Sequence, residues 1–314
     1  MLDYVIRRIL LLIPTIVIVA IIAFSVTHLM PGDPVRLMLG NFASEERVAV
    51  VKKELGFDKP LPTQFVIWVK NVAQGNLGTS IFLFESVSSA IASRFEPTLL
   101  LAIIGQFLGI IIGVPLGVLA ATKHRTVVDQ ASIGISLIGL SIPSFVFALG
   151  LMLLFALELR WFPVAGYRPI SEIGWGVVKY LALPGLSLGI GQSAIIARMT
   201  RSAMLDVISQ DYILTARSKG LSEQVVIFKH ALRNALIPVV SVVGLSMAFL
   251  LGGTWIIEVI FAIPGTGQLA LTSITRRDYF VIQGCLVWVA FIYLLVNIIV
   301  DLSYAFINPR IRFK

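Results

Sequence analysis

Six long apolar windows, separated by polar stretches of uneven length, dominate the chain: 9–30, 98–121, 131–157, 181–197, 236–257 and 280–304. About 20 apolar residues in a helix cross the hydrocarbon core of a bilayer, so each window predicts a spanning helix. The fourth window is short and carries Pro184, Gly185, Gly189 and Gly191, which predicts a helix packed tightly on its neighbours. The first has the charged-then-apolar order of a signal sequence, with Arg7 and Arg8 ahead of the run. No small-x-small cleavage site follows, so it is expected to stay as an uncleaved anchor.

Composition agrees with this pattern. The 314 residues are 57% hydrophobic and 13% charged, where soluble domains are about 45–50% apolar and about 25% charged. The net charge of +8 is scattered between apolar blocks, a poor footprint for nucleic acid. Cys285 alone cannot form an internal disulfide, and His28, His124 and His230 lie far apart, which argues against a metal site. The fold class expected is an all-α membrane protein of six spans with both termini in the cytoplasm. That orientation puts Arg7, Arg8, Lys123, Arg125, the 198–233 segment, Arg310, Arg312 and Lys314 inside. The 31–97 segment carries seven basic residues outside, but it is too long for the positive-inside rule and holds seven acids as well.

The chain is thus organised as 1–30, 31–97 and 98–314, with two segments too long to be tight connectors. The outer one, 31–97, has turn signals at Pro31-Gly32-Asp33-Pro34 and Gly75-Asn76-Leu77-Gly78. Between them an amphipathic helix is expected over 44–55, with Ser44 as N-cap and Glu45 and Glu46 in its first turn. In the inner segment, Met204, Leu205, Ile208, Tyr212 and Ala216 form one stripe of a helix over 202–219. Gly220 follows as a residue able to take positive φ, and a second helix is expected over 223–235 with Ser222 as N-cap and Lys229, His230 and Arg233 on it. Such a helix–glycine–helix knuckle, with small residues Ala216 and Gly220, could approach another protein closely; the plain alternative is a basic cytoplasmic loop.

Catalytic signatures are missing: there is no G-x-x-x-x-G-K-[ST], H-E-x-x-H, G-x-S-x-G or dinucleotide fingerprint. No carboxylate, histidine or lysine cluster suits a proton or sodium relay, and Asp129, Glu258 and Asp301 read as interfacial residues near helix ends. A transporter of this make-up is passive or powered by a partner. A passive channel or ion-coupled carrier, a membrane-embedded enzyme and a scaffold are the competing classes. The polar residues Gln106, Ser141, Ser144, Gln192, Ser193, Ser241, Ser246 and Asn297 are candidates for a translocation path or for hydrogen bonds between helices.

The strings Asp211-Tyr-Ile-Leu-Thr-Ala-Arg-Ser-Lys-Gly220 and Lys229-His-Ala-Leu-Arg-Asn-Ala-Leu-Ile-Pro238 resemble the EAA loop of ABC importer permeases, in the form found in the dipeptide/oligopeptide/nickel family. The resemblance extends through Tyr4-Val-Ile-Arg-Arg8, Gly75-Asn-Leu-Gly-Thr-Ser80, Arg94-Phe-Glu-Pro-Thr98, Leu251-Gly-Gly-Thr254, Pro264-Gly265-x-Gly267, Arg277-Asp-Tyr279 and Asn308-Pro-Arg-Ile311. Leu214 and Thr215 depart from the general pattern, standing where an acid and the first Ala belong. The resemblance implies a permease subunit in a bacterial or archaeal cytoplasmic membrane. Its partners would be a second homologous permease, two ABC ATPases that bind ATP and Mg, and a periplasmic or lipid-anchored solute-binding protein. Asp211, Tyr212, Thr215, Ala216, Arg217 and Gly220 would couple to the ATPase, with no cofactor, catalytic or metal site in this chain. The 31–97 segment and a 258–279 loop would meet the binding protein, with Glu258, Arg276 and Arg277 as contacts. Short peptides are the cargo this implies, with glutathione, nickel chelates and oligosaccharides as alternatives.

Overall fold

The computed structural model describes residues 2–29, 33–39 and 43–307. Among them every regular element is helical, and the one β pairing is an isolated bridge between Thr79 and Ser86. The Pro31-Gly32 half of the first expected turn and the Asn308–Ile311 string lie outside the described residues.

A long helix, α1 (Leu2–Leu29), precedes three short ones, α2 (Pro34–Leu39), α3 (Glu45–Leu55) and α4 (Leu61–Ala73). Helix α3 is the one expected over 44–55. The Ser44 hydroxyl accepts from the Arg47 N–H at 3.3 Å, and Gly56, at φ +75°, lets the Phe57 N–H reach the Lys52 carbonyl at 2.8 Å. Helix α4 has no counterpart in the sequence reading. It starts at Leu61-Pro62, where proline suits the first turn, and the Gln64 amide ties it back to the Phe57 and Lys59 carbonyls at 3.3 and 2.7 Å.

The next helix, α5 (Val87–Thr122), starts well ahead of its apolar window. The third window is not one straight span: α6 (Val127–Ser141) gives way to α7 (Ser144–Leu151), extended by a π-helical turn over Met152–Glu158, and the two halves are bent by 94°. The break falls at Ile142-Pro143, because a residue before proline is driven out of the helical region and Ile142 is extended, at ψ 121°. After the single turn α8 (Ile170–Ile173) comes α9 (Val177–Ile208).

The helix expected over 202–219 is two helices. Gln210 is extended at ψ 147°, and the Ser209 hydroxyl and Gln210 amide donate to the Asp206 carbonyl at 2.9 and 3.2 Å, so α10 (Asp211–Ser218) starts afresh. A short α11 (Glu223–Val225) leads through a π-helical turn, Val226–Ala231, into α12 (Leu232–Gly253), which continues past Pro238. Helices α13 (Trp255–Ile260) and α14 (Thr266–Arg276) occupy most of the expected 258–279 loop, and α15 (Tyr279–Ile307) closes the described chain. Among the described residues four helices are long and apolar enough to cross a membrane, and a fifth crossing is available if the bent α6/α7 pair makes one.

The chain forms two compact units. The first takes α1–α4, the start of α5, α14 and the start of α15. In it, Phe24 of α1 packs on Phe65 and Trp68 of α4, with ring centroids 5.4 and 5.9 Å apart. Gly78 stands at φ +89°, held by the Asn76 carboxamide, and a β-carbon there would come within 2.8 Å of the Phe280 ring. Val87, Ala90, Ile91, Leu269, Val281 and Cys285 make the core of this unit. The contacts of Val87 with Gly284 and of Phe95 with Trp288 advance together along both helices, so α5 and α15 run parallel here.

The second unit, 97–264 with the rest of α15, is organised by glycine. Gly105, Gly109, Gly113 and Gly117 recur every four residues on one face of α5 and meet α9 in order: Gly185 and Leu188, then Gln192, then Ser193 and Ile196, then Ala197 and Thr200. Gly185 and Gly189 answer from the α9 side, against Ile104 and Leu108. The register advances in step, so α5 and α9 run parallel with their backbones in close approach. Helix α6 runs against α9, as Gly139 meets Ala194 and Asp129 meets Arg201. Helix α12 runs against α5, with Ser246 bonded to Gln106 at mid-length and Ala231 and Ala235 clustered with Val118 and Ala121 at one end.

At Gly117 an added β-carbon would lie 2.5 Å from the Thr200 β-carbon and 2.6 Å from the Ala197 carbonyl oxygen. Gly117→Leu is therefore expected to destabilise the protein by about 1–3 kcal/mol or more in a detergent melting assay. Gly191→Ala, where nothing lies within 4 Å, should melt like the parent. Equal melting of both variants would mean the contact does not hold the pair.

Candidate functional site

Between α9 and α12 the chain makes a knuckle whose two faces differ. Ile213 and Ala216 are buried on a cluster formed by Val118 and Ala121 of α5, Ala203 and Met204 of α9, and Val226, Ala231 and Ala235. This corrects two expectations. Tyr212 does not continue the stripe of Met204, because the turn at Ser209-Gln210 rotates α10 and puts Ile213 inward instead. Ala216 is not at the tip but seats α10 on the ends of the long helices.

The outer face carries Asp211, Tyr212, Thr215 and Gly220, all exposed, with Arg217 half-buried. Gly220 has φ +77° and open space around it, and its N–H donates to the Arg217 carbonyl at 2.9 Å. Arg217 bridges the turn to Glu223 through two hydrogen bonds, 2.8 and 3.3 Å. Tyr212 accepts from the Asn234 amide at 2.7 Å, and the Thr215 hydroxyl donates to the Asp211 carbonyl at 3.0 Å. The six expected coupling residues thus lie on one ordered element. Leu214, which stands where the general pattern has an acid, is exposed on the same knuckle, as are Leu221 and Phe228, which the sequence reading passed over.

The end of the bundle beside the knuckle holds a buried ion pair. Asp129, with 4% of its side chain exposed, takes two hydrogen bonds from Arg201, at 2.6 and 2.8 Å, and one from the Arg125 N–H at 3.0 Å, with His124 Nδ1 at 3.1 Å. Asp129 had read as interfacial; its partner is 72 positions away, beyond the reach of any local pattern.

The candidate path residues divide. Ser246 donates to Gln106 Oε1 at 2.8 Å, joining α12 to α5, and Gln192 packs on Gly109. All three are buried, and neither Gln106 Nε2 nor Gln192 Oε1 has a hydrogen-bond partner among the described residues. Ser141 is apart from them in kind, exposed at the end of α6.

Glu258 is fully buried, and its Oε1 accepts from Thr98 at 2.7 Å and Thr254 at 2.9 Å. A surface contact with another protein does not fit a carboxylate so placed; it pins α13 to the start of the spanning part of α5. Arg276 and Arg277 are exposed, Arg276 with its guanidinium 6.0 Å from the Phe82 ring centre and Arg277 at φ +57° capping α14. Next to them Asp278, which stood in the Arg277-Asp-Tyr279 string without a role of its own, is buried and accepts from Ser80 at 2.6 Å. Its signal was an Asp directly before an apolar helix, an N-cap position, and its other oxygen accepts from the Val281 N–H at 3.4 Å.

Residues 113–313 match the family described as binding-protein-dependent transport system inner membrane component, and residues 1–102 match the N-terminal family of the same systems. The chain is 42% identical over its full length to the full length of a glutathione transport system permease protein, GsiC, of Salmonella typhimurium. It is 41% identical over 310 residues, 99% of each chain, to the "Probable peptide ABC transporter permease protein y4tP" of Sinorhizobium fredii. Among solved structures, an inward-facing form of the MetNI methionine ABC transporter superposes with a TM-score of 0.57 over 70% of this chain and 96% of that one. At 20% identity that likeness speaks for the fold alone.

The two faces of the knuckle separate in a stability measurement. Ala216→Leu overfills the seat and is expected to cost about 1–3 kcal/mol. Arg217→Ala removes an exposed pair and should leave the melting temperature close to the parent's. A reversed order would show that α10 is held by its outer face.

Proposed function

Because the chain belongs to the binding-protein-dependent transport system inner-membrane components, we propose that it is the permease subunit of an ATP-driven importer of short peptides. The observation that carries the coupling role is the knuckle itself, one face buried on the ends of α5, α9 and α12 and the other presented outward with Gly220 in open space. A cytoplasmic ATPase would seat on that outer face, with Asp211, Tyr212, Thr215, Arg217 and Gly220 at the contact and Ala216 acting from beneath. ATP and Mg belong to two such ATPases, and a second, homologous permease completes the path. Relatives named for peptide transport and for glutathione transport support this reading and its glutathione alternative, glutathione being a tripeptide.

Helix directions support five crossings from α5 to α15 that end on the inner side, and α1 would be the sixth, with the N-terminus inside. Helix α9 runs with α5 and α12 runs against it, while in the first unit α15 runs with α5. Two parallel spans require the intervening chain to cross back, so the bent α6/α7 pair is read as a broken crossing. Lys123, Arg125, Arg198, Arg201 and Lys219 then fall on the cytoplasmic side, as the excess of basic residues in short inner loops demands. A solute-binding protein would dock outside, over the 31–97 segment and α14, with Arg276 and Arg277 within its reach and Glu258 acting only as an internal tie.

Uptake into vesicles holding the chain with its ATPases, second permease and binding protein tests this. Gly220→Trp is expected to abolish ATP-dependent uptake of short peptides while the protein still inserts and assembles. Gly220→Asn, which tolerates positive φ, should keep most of it. Full transport by Gly220→Trp would remove the knuckle from the coupling path, and uptake indifferent to ATP would remove the importer reading.

A further inference from the structure

A cleft of about 200 Å³ lies between α5, α6 and α9, beside the Asp129–Arg201 pair. Gly117 and Ala197, the small residues of the close helix contact, form its floor. Its walls are hydrocarbon: Leu116 and Ala120 on one side, Ile133, Leu137 and Leu140 on the other. Ser132 and Ser136 also line it, but each hydroxyl donates at 2.8 Å to a carbonyl of its own helix, Val128 and Ser132 respectively. The lining from Ser132 to Leu140 extends about 12 Å along α6.

One end of this apolar slot is cationic. Arg198 lines it, is exposed, and has no carboxylate partner among the described residues. Arg201, one turn on, holds Asp129 through Nε and Nη2. Lys123, His124 and Arg125, in the α5–α6 turn whose backbone also binds Asp129, are exposed at the same end. Asp129, the acid in this cluster, is already paired. A ligand seated here needs a chain-like apolar body and an anionic head at the level where the helices leave the membrane.

We propose that this cleft binds an anionic phospholipid, one acyl chain lying along α6 from Leu140 to Ser132 and the phosphate accepting hydrogen bonds from Arg198. Charge complementarity selects this occupant. A zwitterionic lipid also offers a phosphate, but its ammonium group would meet the uncompensated positive charge of Arg198, Lys123 and Arg125, and a free phosphate would leave the apolar slot unfilled. The site is distinct from the knuckle and from the polar residues Gln106, Gln192 and Ser246. Its occupant fills the outer side of the α5–α9 contact where glycine has left no side chain.

Native mass spectrometry of the purified full-length chain, exchanged into mixed micelles of phosphatidylglycerol and phosphatidylcholine, tests the proposal without ATP, cargo or partners. Its failure is therefore separate from failure of the transport reading. The parent is expected to retain phosphatidylglycerol about fivefold over phosphatidylcholine, the scale of one basic residue facing a net anionic rather than a zwitterionic headgroup. Arg198→Gln should erase that preference and Arg198→Lys should restore most of it. Ile133→Trp, which fills the slot, should lower retention of both lipids, and millimolar inorganic phosphate should displace neither. Equal retention of the two lipids by the parent, or an unchanged preference in Arg198→Gln, would overturn the site. So would cysteines at Ile133 and Leu137 that cross-link to a second permease in the assembled importer, since the slot would then be a protein seat.

Discussion

The close, parallel contact between α5 and α9 is the constraint on which the second unit depends. Lipid tails are as apolar as leucine, so two helices in a bilayer gain nothing from burying hydrocarbon on each other and must gain from packing. Four glycines at intervals of four residues remove every β-carbon from one stripe of α5, and the carbonyls of Gly185, Ser193 and Ala197 move into the space. Parallel direction then dictates what lies between. The chain must return from one end of α5 to the opposite end of α9, and residues 123–176 do this through α6, which runs against α9, and the break at Pro143.

The pattern of apolar windows located the long helices because hydrocarbon facing lipid cannot be disguised. It was weakest where the helix faces protein. The 181–197 window looked the poorest of the six, yet 67% of the apolar stretch of α9 is buried, against 33% for α5 and 39% for α12. Its low hydropathy follows from that central place, since a helix surrounded by other helices has no need to match lipid. The ladder at Gly105, Gly109, Gly113 and Gly117 was equally present in the sequence, and its spacing of four could have named α9's partner.

Local chemistry was legible and long-range pairing was not. Ser44, Gly56 and Gly220 take the roles their types and positions suggest, because a cap or a left-handed turn is decided within a few residues. Asp129 with Arg201, Thr98 with Glu258, and Ser80 with Asp278 join positions 72, 160 and 198 apart. Nothing local distinguishes a buried acid with such a partner from an interfacial one. The two errors on the knuckle have separate causes: a helical period carried through Ser209-Gln210 misplaces Tyr212, while the small size of Ala216, buried as its stripe position had it, suggested a tip where it is a seat.

What the knuckle can transmit follows from how it is seated. Ile213 and Ala216 enter the same buried cluster as the ends of α5, α9 and α12, so a force on the outer face reaches all three at once. A close-packed core has little compressibility in which to lose that force. Sliding between α5 and α9 is blocked as well, because each glycine gap is filled by a specific carbonyl or β-carbon of the other helix. The helical ladder is interrupted at Ile142-Pro143 between α6 and α7 and at Thr254 between α12 and α13. Thr254 and Thr98 both donate to Glu258, so the buried carboxylate spans the second of these interruptions and ties it to α5. Any movement of α13 away from α5 has to break those two hydrogen bonds.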